Sequence, residues 1–454
     1  MNTGTIQLTR KTTPILKYDY TYWSSPVANQ SLYNTSPKTL SGKFYSFNSS
    51  SDNWLVEAPS KIMVAAKEYI IRGPESFSAT TRTIYEASFT GIPNNGEKIV
   101  LLGPAASFNL VGNPYPSAID IDVFLKENAA LLKGTIYLWS HNTPITNNMY
   151  TSDDYAVYNL LGEVGTSPSK NIGVNNFRPD GKVASGQSFF IAAASGGGIA
   201  KFNDKMRLVG QNSNFYKMNN SQKSTELNAI EKHRFWLNIY NTEGAFKQVL
   251  VGYMTGATDA YDPFLDGTTI NANKYIDFYS ICGEKNLVIQ AKGLLFNDQD
   301  EITLGYKTTV DGNYTIDIDE VDGDLKGQDI YIDDKLNSST HNLKQSSYHF
   351  FTQKGTYDTR FVLRYTSGTL GASDFERTGN GVLIFKEKKE LKIKSESENI
   401  KQVVIFYMLG KKVFEKEAIN DTVFQASIAF LKDQIGIVKV SLTNGEVISK
   451  KVIF

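Results

Sequence analysis

The spacing of the apolar residues is the feature that most constrains this fold, because its period is two along almost the whole chain. In LKYDYTYWSSP, the residues Tyr18, Tyr20 and Tyr22 fall on one face of a strand, and Pro26 follows soon after them. Segments such as HRFWLNIYN, NLVIQAKG and GNYTIDIDEVDG alternate in the same way and are bounded by turn-forming residues. The pattern predicts an all-β protein, most simply one of tandem β-sandwich domains.

The length of the chain and two polar stretches together predict three domains. A chain of 454 residues is too long for one ordinary hydrophobic core. Two stretches poor in large apolar residues are predicted to be linkers, at residues 217–234 and 371–384. They would separate an N-terminal β-sandwich or jelly-roll-like domain (1–216), a middle β-sandwich domain (235–370) and a C-terminal domain (385–454).

The charge of the chain is balanced overall but uneven along its length. The formal net charge is zero, so no overall field attracts nucleic acid or an anionic membrane. Residues 255–335 contain 17 acidic and 6 basic residues, whereas residues 381–454 contain 13 lysines and 9 acidic residues. No apolar run reaches the ~18 residues of a membrane span. The sequence therefore predicts an acidic middle domain, a mildly basic tail and no membrane span.

The residue types that usually carry catalysis show no recognisable arrangement. Cys282 is the only cysteine, which excludes a disulfide framework, and its apolar surroundings predict a buried small hydrophobic residue. The four histidines, at positions 141, 233, 341 and 349, have no metal-binding spacing, and no nucleophile-elbow or phosphate-loop motif occurs. We expect a protein without catalytic residues and without a cofactor, calcium excepted.

Calcium is the one metal ion for which the sequence offers candidate ligands. The segment TDAYDPFLDG contains Asp259, Asp262 and Asp266, and calcium prefers clusters of hard oxygen ligands with flexible geometry. The alternative is that these carboxylates lie in solvated hairpin turns, because Asp-Gly is itself a turn signal. A second acidic run, DIDEVDGDLKGQD, offers further carboxylates, but the Asp259 loop is favoured, and neither run matches an EF-hand loop.

The segment GNPYPSAID raises a possible enzymatic role through Asp120 and Asp122. Glycoside hydrolysis requires two carboxylates that converge on one substrate, and sequence spacing does not show convergence. The structural alternative is a proline-fixed turn, followed by a helix over residues 118–132 with Ser117 as its N-cap. We favour the structural interpretation, and glycan hydrolysis is the alternative activity.

Aromatic residues offer a second route to carbohydrate. Trp23, Trp54, Trp139 and Tyr150 are candidates for a sugar-stacking face. At 12% aromatic residues, most aromatic side chains must belong to the core. Surface polysaccharide is therefore a candidate partner, and packing in the core is the alternative role of these aromatic residues.

The tail contains two hairpins. In VVIFYMLGKKVFEKE, Val403, Ile405 and Tyr407 alternate with further apolar residues, as in a strand covered on both faces. In GIVKVSLTNGEVISKKVIF, Asn444-Gly445 is the strongest signal for a type I′ turn. The residues alone predict a small closed sandwich.

The order of these tail elements resembles the C-terminal sorting domain of proteins secreted by the type IX system. That family shows an apolar strand, Leu-Gly with a basic residue, a Gly before a Val- and Lys-rich strand, a Gly turn and a final basic strand. Two positions differ from the family: Phe406-Tyr407 replaces its usual Tyr-Asp, and the common Tyr after Gly436 is missing. The matching residues are Leu409, Gly410, Lys411, Lys412, Gly436, Lys439, Asn444, Gly445, Lys450 and Lys451.

The resemblance extends upstream. RFWLNIYNTEGAFKQVLVGYMTGATDAYDPFLDG is similar to the longer type C sorting region, and LVGNPYPSAIDIDVFL to an element of large surface proteins exported by the same route. The resemblance implies an immunoglobulin-like sorting domain that engages the type IX translocon and the outer-membrane attachment machinery. It also implies a protein that passes through the periplasm and is extracellular or on the cell surface.

Two further expectations follow from this resemblance. The start MNTGTIQLTRKTTPIL has no continuous apolar region of the kind found in signal peptides, which predicts either a cytosolic protein or the C-terminal part of a longer precursor. The resemblance favours the precursor, on which a signal peptide is then expected. The upstream domains would serve as a stalk or an adhesive module without catalytic activity. The alternative function is a carbohydrate-binding module or a glycan hydrolase exported by the same route.

Overall fold

β-Strands dominate the chain, which confirms the all-β fold class predicted from the alternation. The structure is a computed structural model. It describes residues 3–140, 145–146, 149–150, 155–166, 178–194, 196–212, 230–270, 275–294, 296–366, 382–387, 390–395, 398–407, 411–428 and 435–453. Among these residues, no helix is long and apolar enough to cross a membrane.

Residues 3–212, called the first segment, form several small antiparallel sheets. The largest has the order β14-β13-β10-β16-β8, and a four-stranded sheet has the order β2-β5-β3-β4. The helices are α1 (Leu32–Thr35) and α2 (Ile121–Glu127). The strands are β1 (Ile6–Ile15), β2 (Tyr20–Trp23), β3 (Phe44–Asn48), β4 (Asn53–Val56), β5 (Tyr69–Arg72), β6 (Thr83–Gly91), β7 (Lys98–Leu101), β8 (Phe108–Gly112), β9 (Ala118–Asp120), β10 (Leu132–Trp139), β11 (Ile145–Thr146), β12 (Met149–Tyr150), β13 (Tyr155–Tyr158), β14 (Glu163–Val164), β15 (Lys182–Val183), β16 (Ser188–Ala193), β17 (Ile199–Phe202) and β18 (Arg207–Leu208).

Residues 230–366, called the second segment, form one large sheet. Its strands are β19 (Lys232–Asn241), β20 (Phe246–Met254), β21 (Gly267–Thr268), β22 (Ile276–Cys282), β23 (Lys285–Gly293), β24 (Ile302–Thr308), β25 (Gly312–Val321), β26 (Tyr331–Asp334), β27 (Ser339–Asn342), β28 (Tyr348–Thr352) and β29 (Gly355–Arg364). The order is β27-β26-β29-β24-β22-β23-β20-β19-β25-β28, with β21 beside β23. Only the pairing of β20 with β23 is parallel among the pairings described in this sheet.

The large sheet curls around its own hydrophobic core. Residues from most of its strands share one buried cluster, among them Phe235, Tyr306 and Phe361. The two ends of the sheet approach each other through side chains: the Tyr348 hydroxyl of β28 donates to Asp334 Oδ2 of β26 at 2.9 Å. The curled sheet therefore has an inner face on this core and an outer face toward the first segment or solvent.

The first and second segments belong to one compact unit, Met1–Ser367. A shared hydrophobic cluster contains Tyr137 and Phe190 of the first segment together with Trp236 and Leu250 of the second. Of the predicted linker 217–234, residues 217–229 lie outside the described part of the chain, and residues 232–234 already belong to β19. The predicted boundary near residue 217 therefore does not coincide with the edge of a compact unit.

The tail forms the second compact unit, Gly368–Phe454. Its strands are β30 (Val382–Glu387), β31 (Glu390–Ser395), β32 (Ile400–Tyr407), β33 (Lys412–Asp421), β34 (Val423–Ser427), β35 (Ile435–Leu442) and β36 (Val447–Ile453). They form two sheets, β30-β31-β34 and β33-β32-β35-β36. Both sheets contribute to one buried cluster, which includes Ile393, Phe424, Val403 and Val438. The tail is thus a small β-sandwich.

The predicted helix over residues 118–132 is wrong at its start. Ala118–Asp120 is strand β9, which pairs with β15 and β18, and the helix begins only at Ile121. Asp120 is its N-cap, because Asp120 Oδ1 accepts the backbone N–H of Asp122 at 2.8 Å and of Val123 at 3.3 Å. Strand pairing across the chain therefore overrides the local helical pattern, and the cap is not Ser117.

The tail turn also differs from the predicted type I′ geometry. A type I′ turn needs positive φ at both central residues, yet of Asn444 and Gly445 only Gly445 has a positive φ, +89°. The Gly445 N–H donates to the Leu442 carbonyl at 3.1 Å, and Leu442 N–H to the Glu446 carbonyl at 2.9 Å. The turn has one residue more than expected, with glycine at the position that needs a left-handed backbone.

Candidate functional site

The predicted calcium loop uses two of its carboxylates for its own turn. Asp266 is buried, and its two oxygens accept the backbone N–H groups of Asp262 and Ala291, each at 2.7 Å. Asp262 Oδ2 accepts both the N–H and the hydroxyl of Thr258, at 2.7 and 3.0 Å. Burial raises the pKa of Asp266 to about 7. The structural role of Asp262 and Asp266 is therefore to stabilise this turn.

The third aspartate of this loop faces a lysine. Asp259 Oδ1 lies 3.1 Å from Lys292 Nζ, which is also 3.7 Å from Asp300 Oδ2. Cys282 lies beside this group, with Sγ donating to the Asp259 carbonyl at 3.7 Å. The thiol is only partly buried, contrary to the expectation, because it ends β22 next to the hairpin turn. Calcium at this loop has to compete with Lys292, and it stays a prediction.

Glu231, His233 and Asp324 bring three possible ligand atoms within 4.8 Å of one another, and no other such group occurs among the described residues. His233 Nδ1 accepts the backbone N–H of Asp324 at 2.9 Å, which places the ring proton on Nε2. This Nε2 lies 3.3 Å from Glu231 Oε1. A protonated ring nitrogen has no lone pair for a metal. The arrangement favours a hydrogen bond to Glu231 over metal binding.

Asp120 and Asp122 have separate structural roles. Asp120 caps α2, whereas Asp122 Oδ1 accepts the hydroxyl of Tyr158 at 2.9 Å. Burial raises the pKa of Asp122, which the Tyr158 hydrogen bond opposes. The glycan-hydrolase interpretation of this pair stays an alternative prediction.

The fold separates Trp23 from Trp54 and Trp139, three of the four aromatic residues predicted to stack on sugar. Trp23 is 1% exposed and packs on Phe89, in a different cluster from Trp54 and Trp139. The side chain of Tyr150 lies outside the described part of the structure. Trp54 and Trp139 do come together, because both contact the Tyr22 ring, at centroid distances of 6.0 and 5.7 Å. These rings pack on one another and belong to the cluster between the segments.

Opposite charges meet where the two segments contact each other. We call this group the charged junction; it consists of Glu163, Arg178, Arg234, Asp319, Glu320 and Asp322. Arg178 donates to Asp319 and, at 3.0 Å, to Glu320 Oε2. Arg234 donates to Asp322 Oδ2 through Nε at 3.0 Å and Nη2 at 2.6 Å.

Trp236 lies at the centre of the charged junction. The guanidinium groups of Arg178 and Arg234 lie over its ring, at 4.6 and 4.8 Å from the centroid. Its indole N–H donates to the Glu163 carbonyl at 2.6 Å. Burial raises the pKa of Glu163, while the two arginines oppose this shift. Trp236 of the second segment is thus held by charged and backbone groups of the first.

A chain of hydrogen bonds leads from the charged junction across the outer face of the large sheet. Gln248 Nε2 lies 3.0 Å from Asp319 Oδ2 and 2.8 Å from Asn238 Oδ1. The Asn238 amide donates to Asp317 Oδ1 at 2.9 Å, and the Tyr240 hydroxyl donates to Asp317 Oδ2 at 3.2 Å. We call Gln248, Asn238, Asp317 and Tyr240 the polar ladder. It begins at buried side chains and ends at partly exposed ones.

The polar ladder continues into an exposed strip on β25 and β28. Tyr240 pairs with Thr315, and Thr315 with His349, so these residues share one face of the sheet. Asn313 pairs with Phe351 on the same face, two positions further along. Phe351 is 59% exposed. We call this the outer strip; its members are Tyr240, Asn313, Thr315, Asp317, His349 and Phe351.

In the tail unit, strand pairing gathers residues from three of the sorting motifs on one face. Phe406 pairs with Lys412 and with Ile437, and Val404 pairs with Glu415 and Lys439. The alternate residues Val403 and Ile405 are buried in the core. Lys412 forms an ion pair with Glu415, and the Gln402 amide donates to Glu415 Oε1 at 2.9 Å. We call this surface the tail outer face; it contains Gln402, Phe406, Lys412, Glu415, Ile437 and Lys439, with Val404 buried beneath them.

The other predicted sorting residues lie around this face. The Lys411 carbonyl accepts the Tyr407 N–H at 2.9 Å. Gly436 pairs with both Tyr407 and Val452. In β36, Lys450 pairs with Val438 and Lys451 with Ile437. Asn444 and Gly445 form the turn already described, whereas Leu409 and Gly410 lie outside the described residues.

Comparison with known families assigns most of the chain. Residues 1–365 match the model of a family described as a domain of unknown function, DUF8693. The chain belongs to the DUF8693 family. Residues 370–454 match a second model, described as domain of unknown function DUF8694. No curated protein matches the chain.

The DUF8693 match covers both the first and the second segment, together with the charged junction between them. The interval between the two matches, after residue 365 and before residue 370, coincides with the limit between the two compact units. Within the DUF8693 region, the polar ladder and the outer strip are the candidate site that sequence reasoning missed. The sequence pattern that could have indicated this site is WLNIYN, in which Trp236, Asn238 and Tyr240 alternate with Leu237 and Ile239 of the inner core.

Proposed function

We propose that the tail unit is an export signal of the type IX secretion kind and that the DUF8693 region is the module it delivers to the cell surface. The observation that carries this proposal is that residues 368–454 form a compact unit with a core of their own. A transport signal has to be recognised whatever protein precedes it, and a tail that folds around its own core meets this requirement. The DUF8693 region would act as a stalk or adhesive module without catalysis.

The tail outer face supports the proposal further. The sorting residues Lys412 and Lys439 are far apart in sequence, and their pairing with Phe406 and Val404 puts them on one surface. Basic groups beside apolar side chains are a suitable chemistry for protein recognition, because apolar contact supplies affinity and charge supplies orientation. We propose that the translocon or the attachment machinery contacts this face.

Export of a reporter tests the proposal. Residues 368–454 are fused behind a signal peptide and a fluorescent protein and produced in a host that has type IX secretion. We expect the reporter in the medium or on the cell surface. The variant Lys439→Glu reverses one charge on the tail outer face and should reduce export. Lys394→Glu is the matched control, because Lys394 is an exposed lysine on β31 of the other sheet.

Two outcomes would count against the proposal. A reporter that stays in the periplasm overturns the assignment of the tail as an export signal. Equal export of the Lys439→Glu and Lys394→Glu variants would remove the tail outer face as the recognition surface. Deletion of residues 447–454 should also abolish export, because it removes β36 and exposes the backbone groups of β35.

A further inference from the structure

The outer strip combines exposed rings with fixed hydrogen-bonding groups. Phe351 is 59% exposed on β28, an end strand of the large sheet. Tyr240 lies on the same face two strands away and is partly exposed. An exposed phenylalanine on a strand is unfavourable in water. What distinguishes Phe351 from other exposed apolar residues is that polar side chains and a second ring share its face of the sheet.

The carboxylate of Asp317 is held in place by the polar ladder. Its two oxygens accept one hydrogen bond each, from Asn238 and from Tyr240. An ionised carboxylate has about four acceptor positions, so capacity for further donors remains on this partly exposed group. Asn238 and Gln248, which lie behind it, are 2% and 0% exposed. Buried amides of this kind fix the orientation of the carboxylate before any ligand arrives.

His349 adds a second polar group to the strip. Its Nδ1 lies 2.9 Å from the Thr315 hydroxyl, and the imidazole ring itself is exposed. With strands about 4.8 Å apart and residues about 3.4 Å apart along a strand, the Cα atoms of Tyr240 and Phe351 are separated by roughly 12 Å. The strip therefore has a ring near each end, with Thr315 and His349 between the two rings and the Asp317 carboxylate beside Tyr240. This span exceeds one sugar ring and suits an oligosaccharide.

We propose that the outer strip binds a neutral polysaccharide. A sugar ring has apolar faces that stack on aromatic side chains and hydroxyl groups that donate to a carboxylate and accept from an imidazole. An anionic polysaccharide is disfavoured, because the ladder presents Asp317 and residues 255–335 carry 17 acidic against 6 basic residues. The inference rests on the proposed surface-recognition role of the DUF8693 region and is independent of export by the tail.

Affinity electrophoresis of the purified full chain tests the inference. Native gels contain laminarin, galactomannan or xyloglucan as neutral probes, or alginate as the anionic probe. We expect retardation by at least one neutral polysaccharide and none by alginate. Phe351→Ala should weaken this binding about tenfold, the loss of roughly 1.4 kcal/mol of ring contact. Tyr33→Ala is the matched control, because Tyr33 is 53% exposed in α1 of the first segment.

The other variants and outcomes sharpen the test. Asp317→Asn should also weaken binding, and the melting temperature of each variant shows whether it is folded. The proposal is overturned if none of the three neutral gels retards the chain, if only alginate does, or if folded Phe351→Ala binds as well as Tyr33→Ala. Because the purified chain is used, a failure of export leaves this result unchanged, and a failure of binding leaves the export test unchanged.

Discussion

Arg360 donates to Asp334 Oδ2 through Nη2 at 2.8 Å and to Asp334 Oδ1 through Nε at 3.1 Å, inside the curled sheet. The two side chains are 3% and 0% exposed. Arg360 also donates to the Tyr306 hydroxyl at 3.0 Å and lies over the Phe350 ring at 4.6 Å. Since Tyr348 donates to the same carboxylate, this ion pair lies where the two ends of the sheet meet.

Arg360→Leu should therefore destabilise the DUF8693 region. The substitution leaves Asp334 buried without its cation, which costs about 3–5 kcal/mol of the free energy of unfolding. Urea denaturation at pH 7 measures this change. Lys335→Leu, at an exposed neighbouring position, is the control and should stay within about 0.5 kcal/mol of the parent. Equal values for the two variants would contradict a stabilising role for the ion pair.

Glu68 should make stability depend on pH. It is 3% exposed, its Oε1 accepts the Phe47 N–H at 3.0 Å, and burial raises its pKa to about 8. An unfolded glutamate has a pKa of about 4.3. Between these values the folded protein holds a proton that the unfolded chain has released, so the free energy of unfolding falls as pH rises from about 4 to about 8.

The variant Glu68→Gln checks this dependence. Glutamine stays neutral at every pH, so its stability relative to the parent should increase across this window by about 1.4 kcal/mol per pH unit. Melting temperatures at pH 5 and pH 9 give the comparison. A difference that is the same at both pH values would show that Glu68 is not protonated in the folded state.

Gly134 should be essential for the contact between the two segments. A Cβ atom at this position would lie 1.8 Å from the carbonyl oxygen of Phe264, in the predicted calcium loop of Asp259, Asp262 and Asp266. Gly134→Ala should lower the free energy of unfolding by about 1–3 kcal/mol, because the loop has to move away. Gly42→Ala is the control, since a Cβ atom there meets no atom within 4 Å. Thermal unfolding followed by near-ultraviolet circular dichroism measures both, and similar melting temperatures would refute the close approach.

Lys292 should weaken calcium binding at the predicted calcium loop. If Asp259, Asp262 and Asp266 bind calcium, the Lys292 ammonium competes for Asp259, and Lys292→Ala should strengthen binding. At a calcium concentration of 100 times the dissociation constant, the stabilisation is about 2.7 kcal/mol. The melting temperature with and without calcium reports it, with Asp298→Asn as the exposed control. An unchanged melting temperature in both the parent and Lys292→Ala would remove calcium from this loop.

Local patterns anticipated the strands well but not their partners. The alternation of Val403, Ile405 and Tyr407 correctly placed β32, because side chains along a strand depend only on a period of two. Residues 118–120 were assigned to a helix because their pairing with β15 and β18 is set by residues far along the chain. In the predicted calcium loop, the partner of Asp266 could not be read from the sequence for the same reason. Ala291, whose backbone N–H donates to Asp266, lies on β23 and is distant in sequence.

The candidate site was hidden for a related reason. Gln248, Asn238 and Asp317 come from three strands, and only the register of β20, β19 and β25 brings them into one row. A polar residue within an apolar strand is visible in the sequence, but its neighbours across the sheet are not. The alternation within β19 places Arg234 on the same face as Trp236, but nothing in the sequence indicates that Arg178 also lies over the Trp236 ring.

The pairing of β19 with β25 has a consequence for how the chain folds. Phe235 pairs with Val321, and Ile302 pairs with Leu363, so the large sheet cannot be completed from neighbouring hairpins alone. Long loops must close before these contacts can form, and the entropy that loop closure costs slows the folding of the sheet. Until these loops close, the apolar residues of β19 lack their final neighbours. A newly made chain therefore passes through a period in which chaperones and aggregation can compete with folding.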